Sequence, residues 1–111
     1  MTRVVFLTPT LSMSGAELLT PYAAAVEGQR LLAKSAARQW GADGITVNCV
    51  APAPELVGAQ VGGMALSAPA LGGAGDPAAD LAPIVGFLCS EASHFVTGTT
   101  ISADGGIWMA P

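Results

Sequence analysis

Basic residues are almost missing from this sequence. Of 111 residues only Arg3, Arg30, Lys34 and Arg38 are cationic, against eight Asp and Glu, for a formal net charge of −4. A phosphate backbone would find no basic patch along most of the chain, so nucleic-acid binding is not expected. Charge of either sign is scarce: 11% of residues carry one, where an ordinary soluble domain has about 25%. Only two cysteines occur, Cys49 and Cys89. They form no C-x-x-C, which argues against a zinc site or a redox pair, and both are expected to be small buried residues in a reducing cytosol. The single histidine, His94, has no second histidine or carboxylate cluster beside it, so a surface or supporting role is expected and no metal site. No run approaches the ~18 apolar residues of a membrane span, and V-V-F-L after Arg3 is too short for a signal-peptide core. A soluble, cytoplasmic protein is expected.

What the sequence does have is apolar bulk: 51% of residues, with a mean hydropathy of +0.55. Part of this excess is alanine, 21 residues, which adds little burial. The rest implies a surface covered in part by a partner or by a missing portion of chain. The length allows one domain, residues 1–111, large enough to enclose a core.

R-V-V-F-L-T from Arg3 is a short, continuously apolar run that suits a strand buried on both faces of a parallel sheet. After a loop with Pro9, Ser12, Ser14 and Gly15, Thr20 reads as an N-cap and Pro21 as the first residue of a helix. Apolar positions through Leu31, Leu32 and Trp40 carry that helix to about Gly41, and Arg30, Lys34 and Arg38 lie at i, i+4 and i+8 as a solvated stripe. I-T-V-N-C-V-A-P is a second strand ending at Pro52. Residues 53–75 are rich in Gly, Ala and Pro and read as a long loop, with one helical turn near 61–66. Leu81, Ile84, Val85 and Leu88 have helical spacing, with a start nearer Asp80 than Asp76 so that Pro83 falls in the first turn. T-T-I-S-A-D-G-G is a last strand and turn. The order predicts an α/β fold: a partial Rossmann-like parallel sheet of three strands with two main helices.

Y-A-A-A-V-E-G-Q-R-L-L-A-K-S-A-A-R-Q-W-G-A-D-G-I-T-V-N-C-V-A-P and F-L-C-S-E-A-S-H-F-V-T-G-T-T-I-S-A-D-G-G stand in an order and spacing that resemble the C-terminal half of the short-chain dehydrogenase/reductase family, its bacterial ketoreductases above all. The loop 53–75 matches least. The resemblance implies a fold that binds NAD(P) and reduces a carbonyl or oxidises an alcohol. In that chemistry a tyrosine donates a proton to the carbonyl oxygen. A lysine four residues on lowers its pKa and holds the nicotinamide ribose, and a serine thirteen residues before it positions the carbonyl.

Carried over residue by residue, the tyrosine is Tyr22, but Val26 stands in the lysine place and Pro9 in the serine place. Arg30 shares the helix face yet lies ~6 Å further along the axis, and Thr8 or Thr10 could serve for the serine if the loop shifts by a residue. Past Pro52 the family's glycine is Ala53 and its threonine Val57, leaving only backbone contacts at Pro52, Ala53 and Glu55 for a cofactor. The glycine-rich pyrophosphate turn is missing. A formal G-x-G-x-x-A at Gly73–Ala78 follows no strand and reads as loop. Ser12 and Ser14 read as loop hydrogen-bonders, Asn48 as a bridge between backbone groups beside the sheet, and Trp108 and Met109 as either interface anchors or core.

Three expectations follow. The chain is a truncated pseudoenzyme of the family, with a vestigial Tyr22 and no NAD(P) bound alone; its first strand has a bare edge that invites a homo-oligomer or a partner. Alternatively, it is a non-catalytic subunit pairing with a full-length short-chain dehydrogenase. In the third, it is the C-terminal part of a longer NAD(P)-dependent oxidoreductase.

Overall fold

The computed structural model describes residues 1–56 and 67–109. Val57 and the helical turn expected near 61–66 lie outside the described residues. Strands β1 (Thr2–Leu7), β2 (Ile45–Pro52) and β3 (Thr100–Ala103) form one parallel sheet in the order β1-β2-β3. Helix α1 (Thr20–Trp40) connects β1 to β2, and α2 (Ala82–Leu88), entered through a π-helical turn at Pro77–Leu81, leads to β3. This is the three-stranded α/β half-sheet the sequence predicts.

Register shows why both faces of the sheet are apolar. Val4 lies opposite Val47 and Phe6 opposite Cys49, and these four pack with Ala33 and Ala37 of α1. Val5 and Val50 point the other way because strand side chains alternate. They join Leu81, Ile84, Val85 and Leu88 of the second helical segment with Ile101. The two helices therefore cover opposite faces, which is the condition for continuously apolar parallel strands. From Thr46 to Pro52, β2 is wholly buried, whereas β1 is only half-buried because it has a neighbour on one side alone among the described residues.

Several local expectations give way to packing. The buried stripe of α1 is Val26, Ala33 and Ala37, whereas Leu31 and Leu32 are 64% and 66% exposed. Alanine lets the helix backbone approach the sheet closely, so the larger leucines rotate outward. Thr20 is the first residue of the helix; Leu19 is the N-cap and no side chain caps it. α2 begins at Ala82 with Leu81 as its N-cap, in keeping with a start nearer Asp80 than Asp76; the π-helical turn ahead of it is capped at Asp76, whose carboxylate accepts from the Ala79 N–H at 2.9 Å. Proline at Pro83 cannot donate and its ring crowds the carbonyl four residues back. The chain meets this with a wide turn in which the Ala82 N–H donates to the Pro77 carbonyl, so Pro83 enters the first turn of α2 as expected. Cys49 is buried, but Cys89, expected to be buried, is exposed as the C-cap of α2.

Candidate active site

The carboxyl ends of the strands are where an open α/β sheet offers room for a ligand, and the loops after all three strands meet there. They enclose a cavity of about 520 Å³ lined by Thr10, Leu11 and Ser14 after β1, Pro54 after β2, Ser67, Ala68 and Ala70, and Gly106–Met109 after β3. No described lining residue carries a formal charge. The Thr10 hydroxyl faces the Pro52 carbonyl at 3.5 Å, Ser14 donates to the Leu11 carbonyl at 2.7 Å and Ser67 to the Ile107 carbonyl at 2.6 Å. What these hydroxyls still present is mainly acceptor lone pairs. Asp104 fixes the floor: buried, it accepts from the N–H groups of Gly106 at 3.0 Å and Trp108 at 2.9 Å.

Tyr22, on the first turn of α1, is not among the described residues lining that cavity. Its hydroxyl is shielded from water and has no hydrogen-bond partner among the described residues. Burial raises its pKa above the ordinary 10.0, the opposite of the direction in which a neighbouring cation would move it. One turn on, Val26 is 8% exposed and packed inward, leaving no ammonium beside the phenol.

Arg30 does not take the missing lysine's place. Its guanidinium donates to Glu27 Oε2 at 2.6 Å and to Thr100 Oγ1 at 3.2 Å. Glu27 in turn accepts from Ser12 Oγ at 2.8 Å, with the Pro9 carbonyl 3.1 Å from the same hydroxyl. Arg30 was expected on a solvated face with Lys34 and Arg38; those two are exposed, but Arg30 is anchored to β3 by this network. Pro9, Thr8 and Thr10 are all buried. Thr8 Oγ1 lacks a well-formed hydrogen bond, and the Cys49 thiol beside it is only a weak partner. Burial pushes that thiol's pKa up, opposed by Thr100, Thr8 and Arg30.

The residues foreseen as backbone contacts to a cofactor are close together but offer little. Pro52 and Pro54 have no N–H. The Pro52 carbonyl faces Thr10, the Ala53 carbonyl accepts from the Leu56 N–H at 3.1 Å, and Glu55 is exposed. The described residues thus do not fit NAD(P) as the resemblance implies: a buried valine stands in the place of the ribose-holding lysine, Pro52 and Pro54 offer no N–H, and the Pro52 and Ala53 carbonyls are already engaged. Gly73–Gly75 is loop and Pro77–Ala78 begins the π-helical turn, and the described residues 67–72 that lead into it hold no strand.

Other assignments come out as follows. Ser12 and Ser14 are hydrogen-bonders of the 3-10 turn Thr10–Met13. Asn48 bridges the Val96 carbonyl and the Thr99 N–H, at 3.0 and 3.1 Å. His94 is exposed beside Phe95, their ring centres 6.2 Å apart. Trp108 and Met109 line the cavity, with Met109 exposed. Sequence reading missed the network through Glu27 and the part played by Asp104. An i, i+3 acid and base, Glu27 and Arg30, was the available signal for the first; the second depends on a turn that sequence alone does not locate.

Known proteins place this architecture. The family described as enoyl-(acyl carrier protein) reductase matches residues 2–108. The short-chain dehydrogenase/reductase eriH of Hericium erinaceus is 41% identical over 84% of this chain and 39% of its own length. The 3-oxoacyl-[acyl-carrier-protein] reductase of Pseudomonas aeruginosa is 35% identical over 97% of this chain and 46% of its own. A putative oxidoreductase from Escherichia coli K-12 superposes with a TM-score of 0.78 at 27% identity, covering 98% of this chain and 43% of that one. The chain thus spans under half the length of these relatives. Matched along almost its whole length by the family and sharing its parallel sheet, this chain belongs to the short-chain dehydrogenase/reductase family.

Proposed function

We propose that this chain is a catalytically silent member of the family, with no hydride-transfer chemistry and no NAD(P) site of its own. The observation that carries the reading is the surrounding of Tyr22: its hydroxyl is shielded without a partner among the described residues, Val26 is packed in the lysine place, and Arg30 is committed to Glu27 and Thr100. A phenol whose pKa burial raises is a poor proton donor to a carbonyl at neutral pH. In this reading the protein works as a partner-binding module, in a homo-oligomer or with a full-length short-chain dehydrogenase. Its free thiols, one of them exposed, suit a reducing cytoplasm.

The test is NADH and NADPH oxidation by the purified chain against small ketones and a 3-oxoacyl thioester, the substrate type in the name of its P. aeruginosa relative. No turnover above the buffer rate is expected. Turnover that disappears in Tyr22→Phe overturns the reading. A second reading, the back part of a longer reductase, is favoured by the 39–46% of the relatives' length that the chain spans. An in-frame upstream coding sequence for a glycine-rich turn decides for it.

A further inference from the structure

Three of the four cationic side chains stand on α1 at i, i+4 and i+8, where like charges one turn apart destabilise a helix. Arg30 is neutralised by Glu27. Lys34 and Arg38 form no salt bridge among the described residues, so the repulsion between them stands. Arg38, in the last turn, gains from the negative end of the helix dipole, but that effect fades within a turn and does not reach Lys34. An arrangement that costs stability, in a chain of net charge −4 with so few cations, points to a use for the pair.

The pair lies along a groove of about 540 Å³ between the C-terminal half of α1 and the bend that enters β3. Small residues shape it. Ala37 is buried, and a Cβ on Gly98 would lie 3.6 Å from the Ala37 Cβ, so helix and bend close up at the floor while Leu31, Lys34, Arg38 and Thr97 rise as walls. No described lining residue is acidic. Thr97 Oγ1 accepts from the Val47 N–H at 3.0 Å, which leaves its own proton for an acceptor in the groove. The Gly98 N–H is committed to the Val47 carbonyl at 2.8 Å, and α1 turns its C-terminal half to the groove, so neither that N–H nor a helix N-terminus is open to seat a phosphate. What remains is two separate cations with the apolar side chain of Leu31, 64% exposed, beside them.

We propose that this groove binds a short aliphatic dicarboxylate, with one carboxylate on the Lys34 ammonium, the other on the Arg38 guanidinium, and the methylene chain against Leu31. Positions four apart rise about 6 Å along a helix, a spacing that suits two anionic groups joined by a short chain. The planar guanidinium takes its carboxylate through two parallel N–H bonds, and the Thr97 hydroxyl donates to a carboxylate oxygen. Occupation replaces the repulsion between the two cations with two attractive pairs. The groove sits at the amino ends of β2 and β3, whereas the cavity lined by Thr10 and Trp108 sits at the carboxyl ends. The proposal is therefore independent of the silent reading: turnover at Tyr22 would leave it intact, and an empty groove would leave that reading intact.

The test is an amide chemical-shift titration of the isotope-labelled full chain with adipate at low salt, set against hexanoate, inorganic phosphate and sodium chloride at matched ionic strength. Saturable shifts are expected at Leu31, Lys34, Arg38, Thr97 and Gly98 with adipate, and none that saturate with chloride. Hexanoate, which has one carboxylate, should bind about fivefold more weakly. Both cations are exposed, so the double variant Lys34→Gln with Arg38→Gln should keep the circular dichroism of the parent. It should bind adipate about tenfold more weakly or worse, and adipate should raise the melting temperature of the parent alone. Shifts that do not saturate, hexanoate or phosphate binding as tightly as adipate, or a double variant that binds adipate as the parent does would each overturn the proposal.

Discussion

Arg30 is the first cation after Tyr22 along α1, and Glu27 and Thr100 hold its guanidinium. A double-mutant cycle measures that hold. The guanidinium and carboxylate are 2.6 Å apart, and their side chains retain 20% and 39% of their exposure. At an effective dielectric of 20 the gross attraction is about 6 kcal/mol. Lost hydration offsets most of it, and fully exposed pairs retain about 0.2–1 kcal/mol. Partial burial and the supporting bonds from Ser12 and to Thr100 put this pair near the upper end, about 1 kcal/mol. Urea unfolding of the parent, Glu27→Gln, Arg30→Gln and the double variant gives the coupling from four midpoints. It should fall as salt is added, because neither group is deeply buried. A coupling below about 0.3 kcal/mol would refute the reasoning: Arg30 would then be free to swing back along the helix, and Tyr22 could not be called isolated.

Three further outcomes are expected. Gly105 has φ +69, and a Cβ there would sit 2.9 Å from the Gly73 carbonyl oxygen. Gly105→Ala should cost about 2–3 kcal/mol, from the left-handed backbone and a disturbed bond between the Leu71 N–H and the Gly105 carbonyl. Calorimetry should show Tm lower by about 10 °C or more; an unchanged Tm would mean that the turn relaxes freely. Leu88→Ala empties a fully buried position in the core under α2 and should cost about 2–5 kcal/mol, while Phe95→Ala, 93% exposed, should stay within about 0.5 kcal/mol in the same urea assay. Tyr22 is the only tyrosine, so its ionisation can be followed by ultraviolet absorbance without interference. Its pKa is raised in the folded chain, so below pH 10 both states hold the proton and the contribution to stability is full. Above pH 10 the unfolded chain releases it first, and stability declines until pH passes the folded pKa. A midpoint at or below 10 contradicts a shielded Tyr22 hydroxyl.

The fold was legible because its signals are local: R-V-V-F-L and I-T-V-N-C-V are short apolar runs that suit a doubly covered parallel strand, and the helix between them is marked by Pro21 at its start and by its length. Tyr22 and Val26 stand four residues apart on α1, as the sequence places them; the roles assigned to them and to Pro9 come from the family resemblance. Details set by tertiary packing were not legible. Ala33 and Ala37, rather than Leu31 and Leu32, face the sheet because close approach favours small side chains. The π-helical turn Pro77–Leu81, capped at Asp76, has no signal in the apolar spacing, because it arises from the way the chain admits Pro83 into α2. Arg30 read as solvated because its partner on β3, Thr100, is 70 positions away in sequence, and Asp104 binds a turn whose course only the folded chain defines.

The central claim is that this chain holds no cofactor site of its own, and calorimetric titration of the purified protein with NADPH and NADH tests it most directly. The account predicts no saturable heat from a protein whose circular dichroism and cooperative melting show that it is folded. Saturable binding of either nucleotide to the unmodified chain would contradict it, and would mean that the residues around Tyr22, Pro52 and Ala53 assemble a working nucleotide site without the lysine.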